Sequence, residues 1–365
     1  MSIKIPEPRR RKILIFRLSS FGDVVLAMSS LSDPRLVGAE VHWVVKATYA
    51  WLLRGHPAIH KVWEIDEGIS AFAWLKLCRT WANTEKFDLV LDLHANLRTR
   101  IARWIFWQRE NFSGNLNWIS LKKDRIRRIA YFFLKSIVPP VFRPIHALDS
   151  ISGILDAGLG PAVERSGHRP MPRLAHLERG AAGIAVPHAH PRTVGLVPAS
   201  RWKNKEWPAE RFVELAKILA KNHGIELRVI GRSAESAVRD LGEKLSKAGV
   251  AGGQEQTENP NLVECLRSVD FLVSVDTGIA HVAQALGIPT LILFGPTASD
   301  QGFGPWGPKA ISAETDLWCR PCGKDGRFCY RPIRKAKCLT DLDSEFVVKR
   351  LVESGLIPGK RERPE

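Results

Sequence analysis

The sequence predicts an α/β chain built as two Rossmann-like domains with parallel sheets facing a cleft. Three observations carry that expectation. The chain has 365 residues, too long for one ordinary domain and comfortable as two. Short, nearly continuous apolar runs alternate with longer stretches of helical spacing, as when parallel strands are covered by helices on both faces. The alternation breaks over residues 165–192, where prolines, glycines and histidines replace any periodicity.

In the first half, strands are expected at Ile13–Leu18, Val41–Val45, Val62–Ile65 and Leu89–Leu93. In the second half they are expected at Thr193–Val197, Glu226–Ile230, Phe271–Val275 and Thr290–Phe294. Each is a run of β-branched and aliphatic residues with no alternation, which suits a strand buried on both faces. The stretch Pro208–Ala220 is expected to be helical: Phe212, Leu215, Ala216 and Leu219 share one face, and Pro208 and Glu210 fall in the first turn. A last helix begins at Asp343–Ser344 and stops at Gly355. The domains follow: residues 1–165 as a first Rossmann-like domain, 166–191 as linker, and 192–342 as a second Rossmann-like domain. Residues 343–357 form a helix packing back on the first.

An apolar fraction of 45% is enough for real cores. The net charge of +16 calls for a polyanionic partner: nucleic acid, an anionic membrane face or a phosphorylated substrate. Arg17 interrupts the first apolar run too early for a secretory signal. The most apolar long stretch, Phe271–Phe294, contains Asp276, His281, Gln284 and Pro289, so it is no membrane span. The expectation is a cytoplasmic protein that rests on the inner face of the membrane.

Four strand-to-helix turns carry polar residues. In KILIFRLSSFGDVV, Ser19-Ser20-Phe21-Gly22-Asp23 ends an apolar run and opens a helix. Asp23 is there either a helix cap or a catalytic base. In SVDTGIAHVAQALG, Asp276, Thr277 and Gly278 precede a helix whose free amides and dipole suit a phosphate, with His281 one turn in. The plainer reading is an ordinary cap and a packed histidine. VPASRWKNKEWP sets Arg201, Lys203 and Lys205 just before a helix start, where cations oppose the dipole unless an anion is shared there. A solvated basic loop is the alternative. In GRSAE, Glu235 reaches either a ribose or its own helix start. No G-x-G-x-x-G, P-loop, G-x-S-x-G or H-E-x-x-H pattern occurs.

Together SSFGDVV, KNKEWP, VDTGIAHVAQALG and LFGPT resemble glycosyltransferase family 9, the ADP-heptose:lipopolysaccharide heptosyltransferases, in order over roughly Lys12–Leu356. The resemblance implies a GT-B fold, with an acceptor site on the first domain and a nucleotide-sugar site on the second. It implies inverting, metal-independent transfer of heptose from ADP-heptose to a core sugar of lipopolysaccharide, and so no cofactor for catalysis. Asp23 matches the family's general base, taking the proton of the attacking hydroxyl. Lys205 matches the lysine that steadies the leaving diphosphate. Asp276 is expected to hold sugar hydroxyls, while Thr277 and Gly278 offer amides to phosphate. Ser200, Arg201, Glu235 and His281 fall at donor-contact positions, although Arg201 departs from the small hydroxyl residue expected there. Ser20 and Gly22, with Arg98 and Arg100 after FDLVLDLHAN, are the acceptor-contact candidates.

Two further segments stand out. Residues 98–135 are strongly basic, with Trp104, Phe106, Trp107 and Trp118 interleaved and an apolar helical face at Ile126, Ile129 and Phe133 that runs on to Ile137. That pattern suits an anionic membrane surface or the acidic groups of an inner-core acceptor; a solvated basic helix is the plainer account. Near the C-terminus, Cys319, Cys322, Cys329 and Cys338 are spaced C-x2-C-x6-C-x8-C. Four thiolates so spaced suit structural zinc, and an iron–sulfur cluster less well. Cys78 and Cys265 stand apart as inert thiols. Two other functions fit parts of the pattern. One is a GT-B transferase for another nucleotide sugar. The other is a basic nucleic-acid-binding protein with a metal-stapled tail, which leaves the acids at the turns without a purpose; no nucleic-acid partner is therefore expected.

Overall fold

The computed structural model describes residues 10–110, 116–122, 127, 131, 143–162, 170–178, 192–250, 252–256, 261–323 and 325–359. The chain divides into two compact units: residues 1–123 with 147–177, and residues 124–146 with 178–365.

The first unit contains β1 (Lys12–Phe16), α1 (Phe21–Ala27), β2 (Glu40–Lys46), β3 (Lys61–Ile65), α2 (Ala71–Thr84), β4 (Leu89–Asp92), α3 (Leu97–Glu110), β5 (Asn117–Ser120) and α4 (Ala147–Leu159). Its sheet has the order β3-β2-β1-β4-β5, and every pairing is parallel. On one face, Leu14, Phe16, Val44 and Val90 pack with Trp74, Trp81, Ile105 and Phe106 of α2 and α3. The Trp74 indole N–H donates to the Arg98 carbonyl at 2.9 Å and so ties the start of α3 to α2. On the other face, α4 approaches closely at Gly158, where an added Cβ would lie 3.0 Å from Leu91.

The second unit contains β6 (Thr193–Val197), α5 (Ala209–His223), β7 (Glu226–Gly231), α6 (Ser236–Lys247), β8 (Gly252–Gln256), α7 (Leu262–Arg267), β9 (Phe271–Val275), α8 (Gly278–Ala285), β10 (Thr290–Phe294), β11 (Ala310–Glu314), α9 (Lys337–Thr340) and α10 (Ser344–Glu353). Its parallel sheet runs β11-β10-β9-β6-β7-β8. Both sheets thus follow the Rossmann order, in which the chain starts in the middle, winds one way, and then reverses. The reversal falls between β1 and β4 in one sheet and between β6 and β9 in the other. Ligands of such sheets bind beyond the carboxyl ends of the strands at that point.

Three expectations from sequence need correcting. Strands β5, β8 and β11 were not foreseen; each is an edge strand, and their sequences NWIS, GGQEQ and AISAE lack the apolar run that burial on both faces demands. The last helix does not join the first domain. Asp343 caps it by accepting from the Phe346 amide at 2.6 Å, and Val347 and Leu351 enter the core of the second unit with Phe212 and Leu215. Nor is there a single boundary near residue 165. Residues 124–146 belong to the second unit, where the Tyr131 hydroxyl donates to Asp300 and Arg143 pairs with the same carboxylate at 3.7 Å. Residues 147–177 return to the first unit, where the Ser32 hydroxyl donates to the Met171 carbonyl at 2.8 Å. The linker lies outside the described residues except for 170–178, and so does the apolar face at Ile126, Ile129, Phe133 and Ile137. Among the described residues, no helix is long and apolar enough to cross a membrane.

Candidate functional site

Each reversal point carries a half-buried acid paired with a cation. In the first unit, β1 delivers Arg17 and the turn that follows delivers Ser20 and Asp23. Asp23 is not the N-cap of α1; it stands at the third helical position and closes a capping box with Ser20. The Ser20 hydroxyl donates to Asp23 Oδ2 at 2.7 Å and the Ser20 amide at 3.2 Å. Arg17 Nη2 meets Oδ1 at 2.7 Å. The Arg17 guanidinium is itself held by the Leu93 carbonyl at the end of β4, so the pair spans the reversal point. Burial pushes the Asp23 carboxyl up, but the Arg17 charge and the Ser20 hydrogen bonds outweigh it and hold the group below the usual carboxylate range. Its side chain remains 28% exposed, so the carboxylate is reachable. Gly22 is half-buried in the same turn.

The neighbouring loop is organised by Asp92, which the sequence reading missed. Buried at the end of β4, it accepts from the amides of His94 at 3.1 Å and Ala95 at 2.7 Å. Asn96 and Thr99 then exchange hydrogen bonds that start α3. The two arginines proposed from sequence part company here. Arg98 folds back, donating to the Ile69 carbonyl at 3.2 Å, whereas Arg100 stands on the exposed face of α3.

In the second unit, the loop after β6 brings Lys205 to Asp276, which follows β9. Lys205 Nζ lies 2.6 Å from Asp276 Oδ2, and the Thr297 hydroxyl after β10 donates to the same oxygen at 2.7 Å. Burial opposes ionisation of Asp276; Lys205, Thr297 and the nearby His281 overcome it, and the carboxyl is held below its ordinary range. Ser200 joins by donating to the Asp276 carbonyl at 3.3 Å. Thr277 makes no side-chain cap bond to α8, and the Asp276 carboxylate is turned to Lys205 and Thr297. The plainer capping account of this turn therefore fails. His281 is buried, and its Nδ1 accepts from the Trp306 indole at 3.2 Å.

Glu235 and Arg201 stand apart from that set. Glu235, at the start of α6, accepts from the Arg232 amide at 3.0 Å and pairs with its guanidinium at 2.9 Å. Arg201 is exposed, with its guanidinium 5.4 Å from the Trp202 ring. Glu206, also missed from sequence, accepts from the Ser200 amide at 3.4 Å; burial pushes its carboxyl up.

The cysteine segment packs against this site. Arg320, fully buried between Cys319 and Cys322, donates to the carbonyls of Gly295 and Thr297 and pairs with Glu314 at 2.6 Å. It thereby fixes the turn that presents Thr297 to Asp276. The Cys322 amide donates to the Pro296 carbonyl at 2.7 Å. Burial, with the other cysteines nearby, pushes the Cys322 thiol up to about 12, and burial raises Cys338 to about 11. Ala336 N–H reaches Cys329 Sγ at 3.4 Å and Arg331 reaches Cys319 Sγ at 3.6 Å.

Among the described residues, one set of three potential metal-ligand atoms lies within 4.8 Å: Glu40, His42 and His60. Cys319, Cys322, Cys329 and Cys338 are not among that set, and the zinc expected from their spacing stays an expectation. The Glu40 set is a poor metal site. His42 Nδ1 accepts from the Trp63 indole at 3.1 Å, which leaves the proton on Nε2, facing Glu40 at 2.9 Å. Lys12 already neutralises Glu40 at 2.9 Å.

Comparison with known proteins follows the same lines. The family model described as glycosyltransferase family 9 (heptosyltransferase) matches residues 168–329. The lipopolysaccharide heptosyltransferase 1 of Pseudomonas aeruginosa is 28% identical over 359 residues, covering 92% of each chain. The Escherichia coli heptosyltransferase WaaC, solved with ADP, superposes with a TM-score of 0.65 at 19% identity, over 94% of this chain and 99% of that one. Its complex with ADP-2-deoxy-2-fluoro heptose gives a TM-score of 0.64 at 18% identity, with the same coverage. The fold class is that of these GT-B enzymes.

Proposed function

We propose that this chain is a member of glycosyltransferase family 9 and that it transfers a heptose from ADP-heptose to an inner-core sugar of lipopolysaccharide, at the inner face of the cytoplasmic membrane. The observation that carries this reading is the Lys205–Asp276–Thr297 set at a Rossmann reversal point. A lysine there is a point charge for a diphosphate, and α8 offers free amides beside it. Its partner Asp276 holds the ammonium in place until the donor's phosphates displace it, and is then free to accept from sugar hydroxyls.

The acceptor hydroxyl attacks the anomeric carbon and passes its proton to Asp23. The carbon–oxygen bond to the diphosphate breaks, ADP leaves with the electron pair, and the configuration inverts. Because the Asp23 carboxyl is held low, it is a weak base. Proton transfer must then accompany attack rather than precede it. Charge on the departing phosphate builds at the same moment, and Lys205 with the Thr277 and Gly278 amides meets it. Ser20 orients Asp23, and Arg17 keeps it ionised.

Thermal unfolding with a panel of nucleotide sugars tests the assignment, because a true donor stabilises by mass action. ADP-heptose and ADP are expected to raise the melting temperature. If only UDP or GDP sugars do so, the heptose assignment is wrong and a transferase for another nucleotide sugar takes its place.

A further inference from the structure

We infer that the outer face of α3, with the adjoining side of α2, is a docking surface for an anionic phospholipid bilayer. On α3, Leu97, Arg100, Trp104 and Trp107 recur at three- and four-residue steps and so share one side of the helix. Leu97 is 72% exposed, Trp104 52% and Trp107 59%. The opposite side, with Ala102, Ile105 and Phe106, is spent on the core. The apolar exposure is therefore not a helix short of packing partners; it is a second, outward apolar stripe.

The charges around that stripe are of one sign. Arg100, Arg103 and Arg109 on α3 and Lys76 and Arg79 on α2 are exposed, and none of them has an ion-pair partner among the described residues. No acid occurs in α2, and α3 carries only its last residue, Glu110. Between the two helices lies a cavity of about 430 Å³ lined by Arg79, Ile105, Gln108 and Arg109. The guanidinium groups of Arg79 and Arg109 and the Gln108 amide, beside Ile105, suit a phosphodiester whose chain runs into apolar surroundings. Phe72, at the start of α2, is 76% exposed.

Arginines with outward tryptophans and leucine on one helix are what an interfacial helix needs: the aromatic bodies sink to the level of the headgroups, and the guanidinium groups stay with the phosphates. Nucleic acid would use the cations, but it gives no reason for Leu97 and Phe72 to be bare. The inference stands on α2 and α3 alone and does not depend on which sugar is transferred.

Sedimentation of the full-length protein with vesicles tests it. The protein should bind vesicles of phosphatidylcholine containing roughly one-third phosphatidylglycerol, weaken as salt rises, and ignore phosphatidylcholine alone. Arg79→Glu/Arg103→Glu/Arg109→Glu should lower vesicle binding at least about a hundredfold, as each basic residue contributes about a factor of five. Trp104→Ala/Trp107→Ala should lower it about tenfold while keeping the salt dependence. Arg103→Lys/Arg109→Lys should bind nearly as the parent does. All variants should melt with the parent and keep its ADP-induced shift, since these side chains lie outside the core. Equal binding to both vesicle types, or charge-reversal and tryptophan variants that bind like the parent, would overturn the inference. Tighter binding of random duplex DNA than of anionic vesicles, lost in the same charge-reversal variant, would reassign the face to nucleic acid.

Discussion

The turns after β1 and after β9 present the same figure with different materials. Each sits at the reversal point of a Rossmann sheet, and each holds a depressed carboxylate against one cation at nearly the same distance, 2.7 Å for Arg17–Asp23 and 2.6 Å for Lys205–Asp276. In the first pair the cation is an arginine whose fork is also anchored on the Leu93 carbonyl. In the second it is a lysine on a flexible stem. The acids differ as well: Asp23 is 28% exposed and Asp276 14%. An anchored arginine beside a reachable acid makes a lasting pair, which suits the base proposed for Asp23. A lysine beside a more enclosed acid makes an exchangeable pair, ready to trade its carboxylate for a phosphate.

That contrast can be broken at several points. Lys205→Met should cost the most: transfer should fall by about 10²–10³-fold, the size expected when a cation aimed at developing charge is lost, and the ADP-induced rise in melting temperature should shrink with it. Normal ADP binding in this variant would show that the lysine is not the phosphate partner. Arg320→Met comes next. It removes a buried cation and strands Glu314 and the carbonyls of Gly295, Thr297 and Thr315, so unfolding should become easier by about 3 kcal/mol, read in a urea titration. Donor affinity should drop more than stability predicts, because the Thr297 turn loses its brace.

Arg17→Met sharpens the comparison through pH. In the intact protein Asp23 is depressed, so its contribution to stability is fully present above the unfolded carboxylate value and disappears as pH falls through the lower folded value. Without Arg17, burial is opposed only by the Ser20 hydrogen bonds, and the group moves upward from its present position. The acid limb of the kcat/KM profile should then shift to higher pH, while Arg17→Lys restores part of the original position. An unmoved limb would mean that Arg17 only fills space. The smallest effect belongs to Thr297→Val, which removes one hydrogen bond to Asp276. It should cost about 1 kcal/mol, seen as a slightly weaker donor-induced shift.

How much of this was legible in the sequence follows from what each feature needs. The central strands need a continuous apolar run, and TVGLV, FLVSV and TLILF supply it, so their bounds were readable to the residue. Edge strands need only backbone pairing, and GGQEQ shows nothing else. Asp23, Lys205 and Asp276 could be singled out because acids and cations at strand-to-helix turns are conspicuous. Their partners could not. Arg17 looked like a mere interruption of an apolar run, and its anchor Leu93 is 76 positions away. Thr297 was only the last residue of the LFGPT motif until β10 came to lie beside β9. Arg320 was hidden among cysteines that drew attention to their sulfurs, although its guanidinium is what ties that segment to the turn carrying Thr297. The return of residues 124–146 to the second unit depends on Tyr131 meeting Asp300, 169 positions later, and no local pattern announces such a contact.

The central claim is a division of labour between the two acids, and a paired assay of Asp23→Asn and Asp276→Asn tests it most directly. Single-turnover transfer and the ADP-heptose-induced melting shift are measured on the same preparations. Asp23→Asn should keep the full shift and lose at least about a thousandfold in transfer, whereas Asp276→Asn should lose most of the shift as well. Transfer by Asp23→Asn within tenfold of the parent, or the same loss of donor binding in both variants, would contradict the account.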